Sequence, residues 1–256
     1  MADQKGLLQI VSVHIGDPKD ITLRAIDALR EADLVVCEEA KEARRLLHQL
    51  DIQKELLPLN EHTTRSATDE VLELLKTGKR LALISDAGTP ILADPGSELV
   101  QQCIEQGIAV TTLPGATSII PALILSGFPS APFTFHGFLP KEKGERKNAL
   151  DKLRTKTETL ILLEAPYRLA QILDEMVLSI GRDRQAAICM DITMPSERVI
   201  RGTLLQIQQH FAAQPFKGEY VIVVKGLGKQ SQPSAPRQPR DTAKRPVQTS
   251  RPKRRY

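Results

Sequence analysis

One turn of the chain is much richer in Gly, Pro and Asp than a simple connection requires. It reads Ser85-Asp86-Ala87-Gly88-Thr89-Pro90 and directly follows an apolar run. Glycine lets the backbone approach a ligand closely, and exposed N–H groups in such a turn can hold a carboxylate or a ribose. Asp86 can accept a hydrogen bond from a ribose hydroxyl or an amine. The alternative interpretation is an ordinary long connection built from common turn residues.

Two further loops of similar composition also follow apolar runs. The segment Leu113-Pro114-Gly115-Ala116-Thr117-Ser118 opens a helical pattern, and Ile15-Gly16-Asp17-Pro18 follows the first apolar run. Small residues at 115 and 116 let a flat ring lie against the backbone. A purely structural interpretation is that Thr117 or Ser118 caps the helix.

Carboxylates and histidines suited to acid–base chemistry are few. The candidates at the ends of apolar runs or in polar loops are Glu38, the adjacent pair Glu61 and His62, Glu164 and Asp191. A carboxylate beside a histidine can move a proton. A solvated loop or a helix cap is the simpler interpretation of that pair.

Several motifs of common enzymes are missing. The chain has no GxGxxG after its first apolar run, no GxxxxGK[ST] and no GxSxG, so a dinucleotide fold, a P-loop and a hydrolase elbow have no support. The five histidines show no paired spacing, and the three cysteines are far apart without a CxxC pair. We therefore expect no metal site.

The elements that must position these loops alternate along the first half of the chain. The pattern predicts strands over residues 8–13, 34–37, 55–59, 81–85 and 109–113. Helices are predicted over 20–29 with Asp20 as the cap, then over 40–50, 67–77, 96–106 and 117–126. Such alternation is typical of βαβ units with a mainly parallel sheet, which binds ligands at the carboxyl ends of its strands.

A second series of elements begins near Phe133. Strands are predicted from 133 and over 159–163, 185–192, 198–202 and 220–225, with helices over 145–156, 167–180 and 204–213. Adjacent strands without a helix between them indicate a mixed sheet. We therefore expect an α/β protein with an N-terminal domain over 1–118, a C-terminal domain over 119–228 and a tail over 229–256.

The tail differs from the rest of the chain in charge. It holds nine Lys or Arg and one acid, a net charge of +8, whereas the preceding 228 residues hold 26 bases and 30 acids. Five prolines and few apolar residues predict disorder, because the segment cannot bury enough surface to offset its ordering entropy. Its positive charges can strengthen RNA binding without sequence preference. A solvated solubility tail or a cloning remnant is the alternative.

The overall composition is that of a globular protein. The 256 residues are 41% hydrophobic and 26% charged, which allows a sizeable core. No apolar run reaches the roughly 18 residues that a bilayer span needs, and residues 7–13 lack the features of a signal peptide. Together with the widely spaced cysteines, this predicts a cytoplasmic protein.

Several segments together resemble the tetrapyrrole-methylase superfamily of S-adenosylmethionine-dependent methyltransferases. They are Ile15-Gly16, Asp20-Ile21-Thr22-Leu23-Arg24-Ala25, residues 85–90 with Asp94-Pro95-Gly96, Leu113-Pro114-Gly115, Gly137-Phe138-Leu139-Pro140, Glu164-Ala165-Pro166-Tyr167-Arg168 and Lys217-Gly218-Glu219. The resemblance covers residues 7 to about 226, in order and with compatible spacing. It is strongest to the branch that methylates a cytidine ribose 2′-hydroxyl in small-subunit (16S) ribosomal RNA.

This resemblance implies two α/β domains of the tetrapyrrole methylase type, with S-adenosyl-L-methionine in the cleft between them, and a homodimer. In-line methyl transfer needs no metal and depends on holding the nucleophile, methyl carbon and leaving sulfur collinear. The predicted cofactor-binding residues are Ile15, Gly16, Ser85, Asp86, Ala87, Gly88, Thr89, Pro90, Gly115, Ala116, Ser118, Glu164 and Asp191.

A base near the 2′-hydroxyl would help the reaction, because that hydroxyl is a poor nucleophile. Asp86, Glu61 with His62, and Glu38 all stay open as that base. The implied partner is small-subunit rRNA or the 30S particle. Predicted RNA contacts are the basic residues Arg24, Lys41, Arg44, Arg168, Arg251, Lys253, Arg254 and Arg255.

The chain departs from the family pattern at three loops. It reads His14-Ile15-Gly16-Asp17 where members usually have Pro-Ile-Gly-Asn, Glu38-Glu39-Ala40-Lys41 for Glu-Asp-Thr-Arg, and Met190-Asp191-Ile192-Thr193-Met194 for Arg-Glu-Leu-Thr-Lys. Three alternatives therefore stay open. One is a superfamily enzyme acting on a tetrapyrrole or a protein side chain, and the second is a non-catalytic RNA- or ribosome-binding relative. The third is a purely structural α/β protein, which fits the simpler interpretations taken singly but not their occurrence together. Binding of S-adenosylmethionine separates the second from the enzymes.

Overall fold

Two five-stranded sheets, each covered by helices on both faces, make up this computed structural model, which describes residues 6–60 and 64–228. The strands of the first sheet are β1 (Leu7–Val11), β2 (Leu34–Cys37), β3 (Leu56–Pro58), β4 (Arg80–Ile84) and β5 (Ala109–Leu113). Its helices are α1 (Leu23–Glu31), α2 (Ala40–Gln49), α3 (Thr64–Lys76) and α4 (Ser97–Glu105). The predicted α/β class is confirmed.

All neighbouring strands of the first sheet run parallel, in the order β3-β2-β4-β1-β5. Helices α1 and α2 cover one face and α3 and α4 the other, so the central strands read as continuous apolar runs. From β1 the chain crosses through α1 to β2 on one side of the β1–β4 pair. From β4 it crosses through α4 to β5 on the other side of that pair. This divergence opens a crevice at the carboxyl edge, between the neighbours β1 and β4.

The second sheet is mixed, as predicted. Its strands are β6 (Phe133–Phe138), β7 (Thr159–Leu163), β8 (Gln185–Met190), β9 (Arg198–Thr203) and β10 (Tyr220–Val224), in the order β6-β7-β10-β8-β9. Only β6 and β7 are parallel; the other neighbours are antiparallel. Helices α6 (Lys143–Leu153), α7 (Leu169–Met176) and α8 (Leu204–Ala213) pack on one face, and α5 (Ile119–Ser126) packs on the other.

Helix α5 marks the passage from one sheet to the other. Ile119, Ala122 and Leu123 pack against Ile161 and Val221 of the second sheet. The chain therefore leaves the core of the first sheet within residues 114–118, in one of the loops identified above. The predicted basic tail at 229–256 lies outside the described residues, as do Glu61 and His62.

Most predicted helices differ from the structure by one to three residues at one or both ends. In two of them a 3-10 or π-helical turn stands where the sequence predicts α-helix. Thr22, and not Asp20, caps α1, because its hydroxyl accepts a hydrogen bond from Ala25 N at 3.1 Å; Asp20 ends a 3-10 turn. The helix predicted over 167–180 consists of a 3-10 turn (Pro166–Arg168), α7 and a π-helical turn (Val177–Gly181). Side-chain hydrogen bonds and proline start such turns, and apolar periodicity does not reveal them.

In the two ranges that the structure describes, no helix is long and apolar enough to cross a membrane. The same residues bring no three His, Cys, Asp or Glu side chains together as metal ligands.

Candidate active site

Three loops meet at the carboxyl edge of the parallel sheet and are tied together by hydrogen bonds. Val13 N donates to Gly88 O at 2.8 Å, and Gly88 N donates to His14 O at 3.1 Å. The Thr89 hydroxyl donates to Ala116 O at 3.0 Å and lies 3.0 Å from the Ser12 hydroxyl. Since these bonds link the ends of β1, β4 and β5, the loops form one rigid floor.

A cavity of about 300 Å³ lies between this floor and the second sheet. That volume is at the lower end of small-molecule sites. From the loops of the first sheet, its lining includes Ile15, Ala87, Gly88, Thr89, Asp94 and Ser118. From the second sheet, its lining includes Phe138, Leu163, Glu164, Cys189, Glu219 and Tyr220. Both halves of the chain are therefore needed to build it.

Two glycines of the floor are required by close packing within the protein. Gly88 has φ of +75°, and a Cβ there would lie 3.0 Å from Ile15 Cγ2. A Cβ on Gly115 would lie 2.8 Å from Ser12 Cβ. Gly88 lines the cavity, whereas Gly115 and the neighbouring Ala116 hold the loops together behind it.

Glu164 lines this cavity and keeps one carboxylate oxygen without a partner among the described residues. The residue is 4% exposed. Its Oε1 accepts from Arg168 Nη1 at 3.1 Å and from Ala165 N at 2.9 Å. Among the described residues, neither Oε2 nor Arg168 Nη2 has a hydrogen-bond partner, although both are buried. A buried acceptor without a partner costs free energy, so the site fits a ligand that brings a hydrogen-bond donor.

Two aspartates follow β4, and only one of them lines the cavity. Burial raises the pKa of Asp94, the neighbouring Ser85 hydroxyl opposes that rise, and the charge of Asp86 adds to it. Asp86 is exposed, and its Oδ1 accepts from Glu39 N at 3.2 Å, in the loop between β2 and α2. Partial desolvation raises the pKa of Asp86 too, while that hydrogen bond lowers it.

Three other predicted residues lie beside the cavity without lining it. Ser85 is buried, and its hydroxyl donates to Ala87 O at 3.1 Å. Pro90 is buried in the same loop, and Glu38 is partly buried at the end of β2. They shape the loops and the rim. Ser118 lines the cavity at the start of α5, without a side-chain bond to that helix.

The loop after β1 and the loop after β8 interlock across the cleft. Asp17 N donates to Thr193 Oγ1 at 3.0 Å, and a Cβ on Gly16 would lie 2.6 Å from that oxygen. Asp191 and Thr193 have positive φ, at 48° and 69°, an unfavourable conformation for a β-branched residue. Gly16 thus joins the two halves, Asp191 lies in the loop that Gly16 contacts, and neither residue lines the cavity.

The predicted RNA contacts fall into two structural groups. Arg24, Lys41 and Arg44 are exposed on α1 and α2. The Arg168 side chain is only 12% exposed and is engaged with Glu164, which places it beside the cavity and away from open surface. Arg251, Lys253, Arg254 and Arg255 lie outside the described residues.

Sequence reasoning missed most of the second-sheet wall. Leu163, Cys189 and Tyr220 were assigned only to strands, and Glu219 only to a family segment. Tyr220 donates through its hydroxyl to Ala165 O at 3.0 Å. Glu219 lies at the rim of the cavity and is largely exposed. Partial burial by neighbouring protein atoms raises the pKa of its carboxyl, and the negative charge of Asp191 raises it further. The sequence does show that these residues lie at strand ends. To infer that they face the cavity, one must also know which strands are neighbours in the sheet.

Comparisons with known proteins agree on one family. The model of the tetrapyrrole (corrin/porphyrin) methylases matches residues 8–208. A ribosomal RNA small subunit methyltransferase I of Halalkalibacterium halodurans is 39% identical over 231 residues, covering 90% of this chain and 80% of that protein. The protein of the same name from Thermotoga maritima is 38% identical over 221 residues, covering 86% of this chain and 99% of that protein.

Solved structures share the fold at lower identity. Diphthine synthase has a TM-score of 0.68 at 18% identity, covering 86% of this chain and 90% of that one. Uroporphyrin-III C-methyltransferase from Thermus thermophilus, crystallised with S-adenosyl homocysteine, has a TM-score of 0.61 at 20% identity, covering 86% and 97%. At this identity the likeness concerns the fold alone.

Proposed function

Because the chain belongs to the tetrapyrrole methylase family, we propose that it is an S-adenosylmethionine-dependent methyltransferase acting on small-subunit ribosomal RNA. Fold alone does not choose a substrate, and the solved structures with this fold carry other names. The observation that carries the proposal is identity of 38–39% to rRNA small subunit methyltransferases over 86–90% of the chain. The family model covers residues 8–208, which include the loops after β1, β4 and β5 and Glu164.

The cavity between the sheets is the proposed cofactor site. Its fit rests on the loop floor around Gly88 and on the unpartnered Glu164 Oε2. Ile15, Ala87, Gly88, Thr89, Ser118 and Glu164 line it and would hold the ligand. The other predicted cofactor residues, Gly16, Ser85, Asp86, Pro90, Gly115, Ala116 and Asp191, would act by shaping the loops.

The proposed target is the 2′-hydroxyl of a cytidine ribose. The cofactor supplies an electrophilic methyl group on a sulfonium, and the ribose oxygen must lose its proton as the oxygen–carbon bond forms. We take Asp94, in the loop floor after β4, as the base that accepts this proton; it lines the cavity and burial raises its pKa, two properties that Glu219 at the rim shares. A base whose pKa is shifted towards the operating pH is more effective. Asp86 and Glu38 lie further out, at the rim.

A homodimer is part of the proposal. Helix α5 is apolar on all sides, which is typical of a helix buried all round. One side packs on the second sheet, whereas Ile120 and Ile124 on the other are exposed. We expect a second copy of the chain to cover them, so Ile124→Asp should shift the sedimentation of the protein from dimer to monomer. A ribosomal RNA substrate would place this dimer in the cytoplasm.

Methylation mapping tests the function directly. Small subunits from a deletion strain, incubated with the purified protein and S-adenosylmethionine, should gain one ribose methyl group that wild-type subunits already carry. Binding of S-adenosylmethionine without methylation would instead indicate a non-catalytic relative. Absence of both would overturn the proposal.

A further inference from the structure

A second cavity, of about 620 Å³, lies at the far end of the second sheet from the active site. It is lined where β7 and β8 begin and β10 ends, whereas Glu164, Cys189 and Tyr220 lie at the opposite strand ends. Five residues of strand separate the two, which corresponds to roughly 17 Å. We call it the distal pocket and define it by Arg154, Arg182, Arg184 and Lys225.

The distal pocket carries an uncompensated positive charge. Its four cations are accompanied in the lining by one acid, Asp183. Within residues 6–60 and 64–228, none of the four cations forms a salt bridge; the nearby Asp151 interacts with Arg154 only through its charge. This surplus contrasts with the first 228 residues as a whole, which hold 26 bases and 30 acids.

Arg184 fixes the shape of the pocket through the backbone. Its Nη1 donates to Lys225 O at 3.1 Å, and its Nη2 donates to Arg154 O. Because carbonyl oxygens are neutral, these bonds satisfy the guanidinium without cancelling its charge. Burial lowers the pKa of Arg184, as expected for a cation that no carboxylate stabilises. A bound anion would supply the missing charge.

The basic tail starts beside this pocket. Leu227 N donates to Lys156 O at 3.1 Å and Gly228 N donates to Thr157 O at 3.3 Å, so the chain is anchored at the pocket wall up to residue 228. The next 28 residues carry nine bases and one acid. The basic segment therefore follows the pocket directly in the sequence.

We propose that the distal pocket is a second RNA-binding site, which holds the phosphate backbone of the substrate through Arg154, Arg182 and Lys225. Guanidinium and ammonium groups are the usual partners of phosphates, and such contacts position a nucleic acid without reading its sequence. The inference rests on the proposed function, because it assigns the same RNA substrate a contact remote from the reaction centre.

A charge-matched pair of variants tests the proposal. In the full-length protein, Arg154→Gln, Arg182→Gln and Lys225→Gln are combined. The control combines Arg30→Gln, Lys76→Gln and Lys79→Gln, which remove the same charge from exposed positions on the first half. Filter binding of small subunits that lack the methyl group is measured over a range of KCl concentrations. Thermal melting monitored by circular dichroism confirms that each variant folds.

The pocket variant should lose affinity for the subunits, and its slope of log K against log salt should become shallower by about 2 to 3. Its KM for subunits should rise while kcat and S-adenosylhomocysteine affinity stay at wild-type values. The control should keep the wild-type slope. Equal slopes in both variants would overturn the proposal. If the triple variant unfolds early, Arg182→Gln alone should change the slope by about 1.

The two proposals fail differently in this experiment. If the wild-type protein binds subunits but transfers no methyl group to them, the proposed function is contradicted. The salt slopes of the two variants then still test whether the distal pocket binds RNA. Normal methylation with unchanged slopes contradicts the distal pocket alone.

Discussion

At the residue scale, Glu164 gives the clearest indication that the cavity binds a ligand. Its Oε2 is buried without a partner among the described residues, while Oε1 is engaged by Arg168 and Ala165. As the carboxylate of an ion pair it offers only acceptor atoms, so a ligand must present an N–H or O–H group there. The same orphan oxygen would be costly in a protein that binds nothing.

Glu164→Gln should weaken S-adenosylhomocysteine binding by about ten- to a hundredfold, the cost of losing a charged acceptor of roughly 1.5–3 kcal/mol. Titration calorimetry measures this loss. Arg168→Gln is the matched control, because it breaks the same ion pair but leaves the Glu164 carboxylate in the cavity. Equal losses in both variants would show that the ion pair matters and the free oxygen does not.

Asp94 lines the cavity, whereas Asp86 lies at its rim. Substituting each of them tests which one is the base. Asp94→Asn should lower the single-turnover methylation rate at saturating cofactor by roughly two to four orders of magnitude. Asp86→Asn should change it much less. The wild-type rate should rise with pH through the elevated pKa of Asp94, because only the carboxylate accepts a proton. The reverse order of effects would move the base to Asp86.

The same shift makes a stability prediction of known sign. A carboxyl whose pKa is raised in the folded state stabilises the fold when protonated, and this contribution is lost as pH rises through the folded pKa. Asp94→Asn should therefore increase the melting temperature near neutral pH. The difference from wild type should vanish below the ordinary carboxyl pKa. A variant that melts lower at neutral pH would contradict the burial of Asp94.

At the scale of elements, one ion pair joins α6 to α7 over the second sheet. Arg146 is 2% exposed and donates to both Glu175 oxygens, at 2.6 Å and 2.8 Å. Its Nη1 also donates to Lys141 O at 2.7 Å, so the guanidinium fixes the loop before α6 as well. Hydrogen bonding from Arg146 lowers the pKa of Glu175.

Glu175→Ala should destabilise the protein by about 3 kcal/mol, because it leaves a buried guanidinium without its charge partner. Urea denaturation measures the free energy of unfolding. In the wild type, the contribution of the pair is present above the ordinary Glu pKa and is lost as pH falls through the lowered folded value. Glu73→Ala removes an exposed partner of Lys76 and should leave stability nearly unchanged. Similar effects of the two substitutions would contradict a structural role for the α6–α7 pair.

At the scale of the whole molecule, charge is divided between a mildly acidic body and a strongly basic tail. Arg24, Lys41 and Arg44 lie on the first half and the distal pocket lies on the second. The tail follows residue 228 in the sequence. An RNA bound to all of these would contact both halves. Such a spread favours a large structured substrate over a short oligonucleotide, and it makes affinity depend on salt.

Replacing Arg251, Lys253, Arg254 and Arg255 by Gln should weaken subunit binding and make the salt slope shallower by about 3. Cofactor affinity should not change, because those residues add charge and not cavity wall. The control replaces Gln230, Gln232, Gln238 and Gln248 by Ala and keeps the charge. If both variants bind subunits as the wild type does, at every salt concentration, the tail is only a solvated segment.

The sequence by itself determined the α/β class, the order of strands and helices and the loops at residues 15–18, 85–90 and 113–118. These are local properties, because apolar periodicity and turn chemistry act over a few residues. Strand β5 and strand β7 have the predicted bounds for that reason. The start of α1, which Thr22 and not Asp20 caps, differed because several side chains there compete to cap a turn.

Only the tertiary structure decided which residues face the cavity. Glycine at 16, 88 and 115 indicates close approach of backbone, but the sequence does not reveal whether the neighbour is a ligand or the protein. The structure places Gly16 against Thr193 and Gly115 against Ser12. Glu219 and Tyr220 reach the site because β10 lies between β7 and β8. Such an arrangement depends on pairing between segments distant in the chain, and no local pattern encodes it.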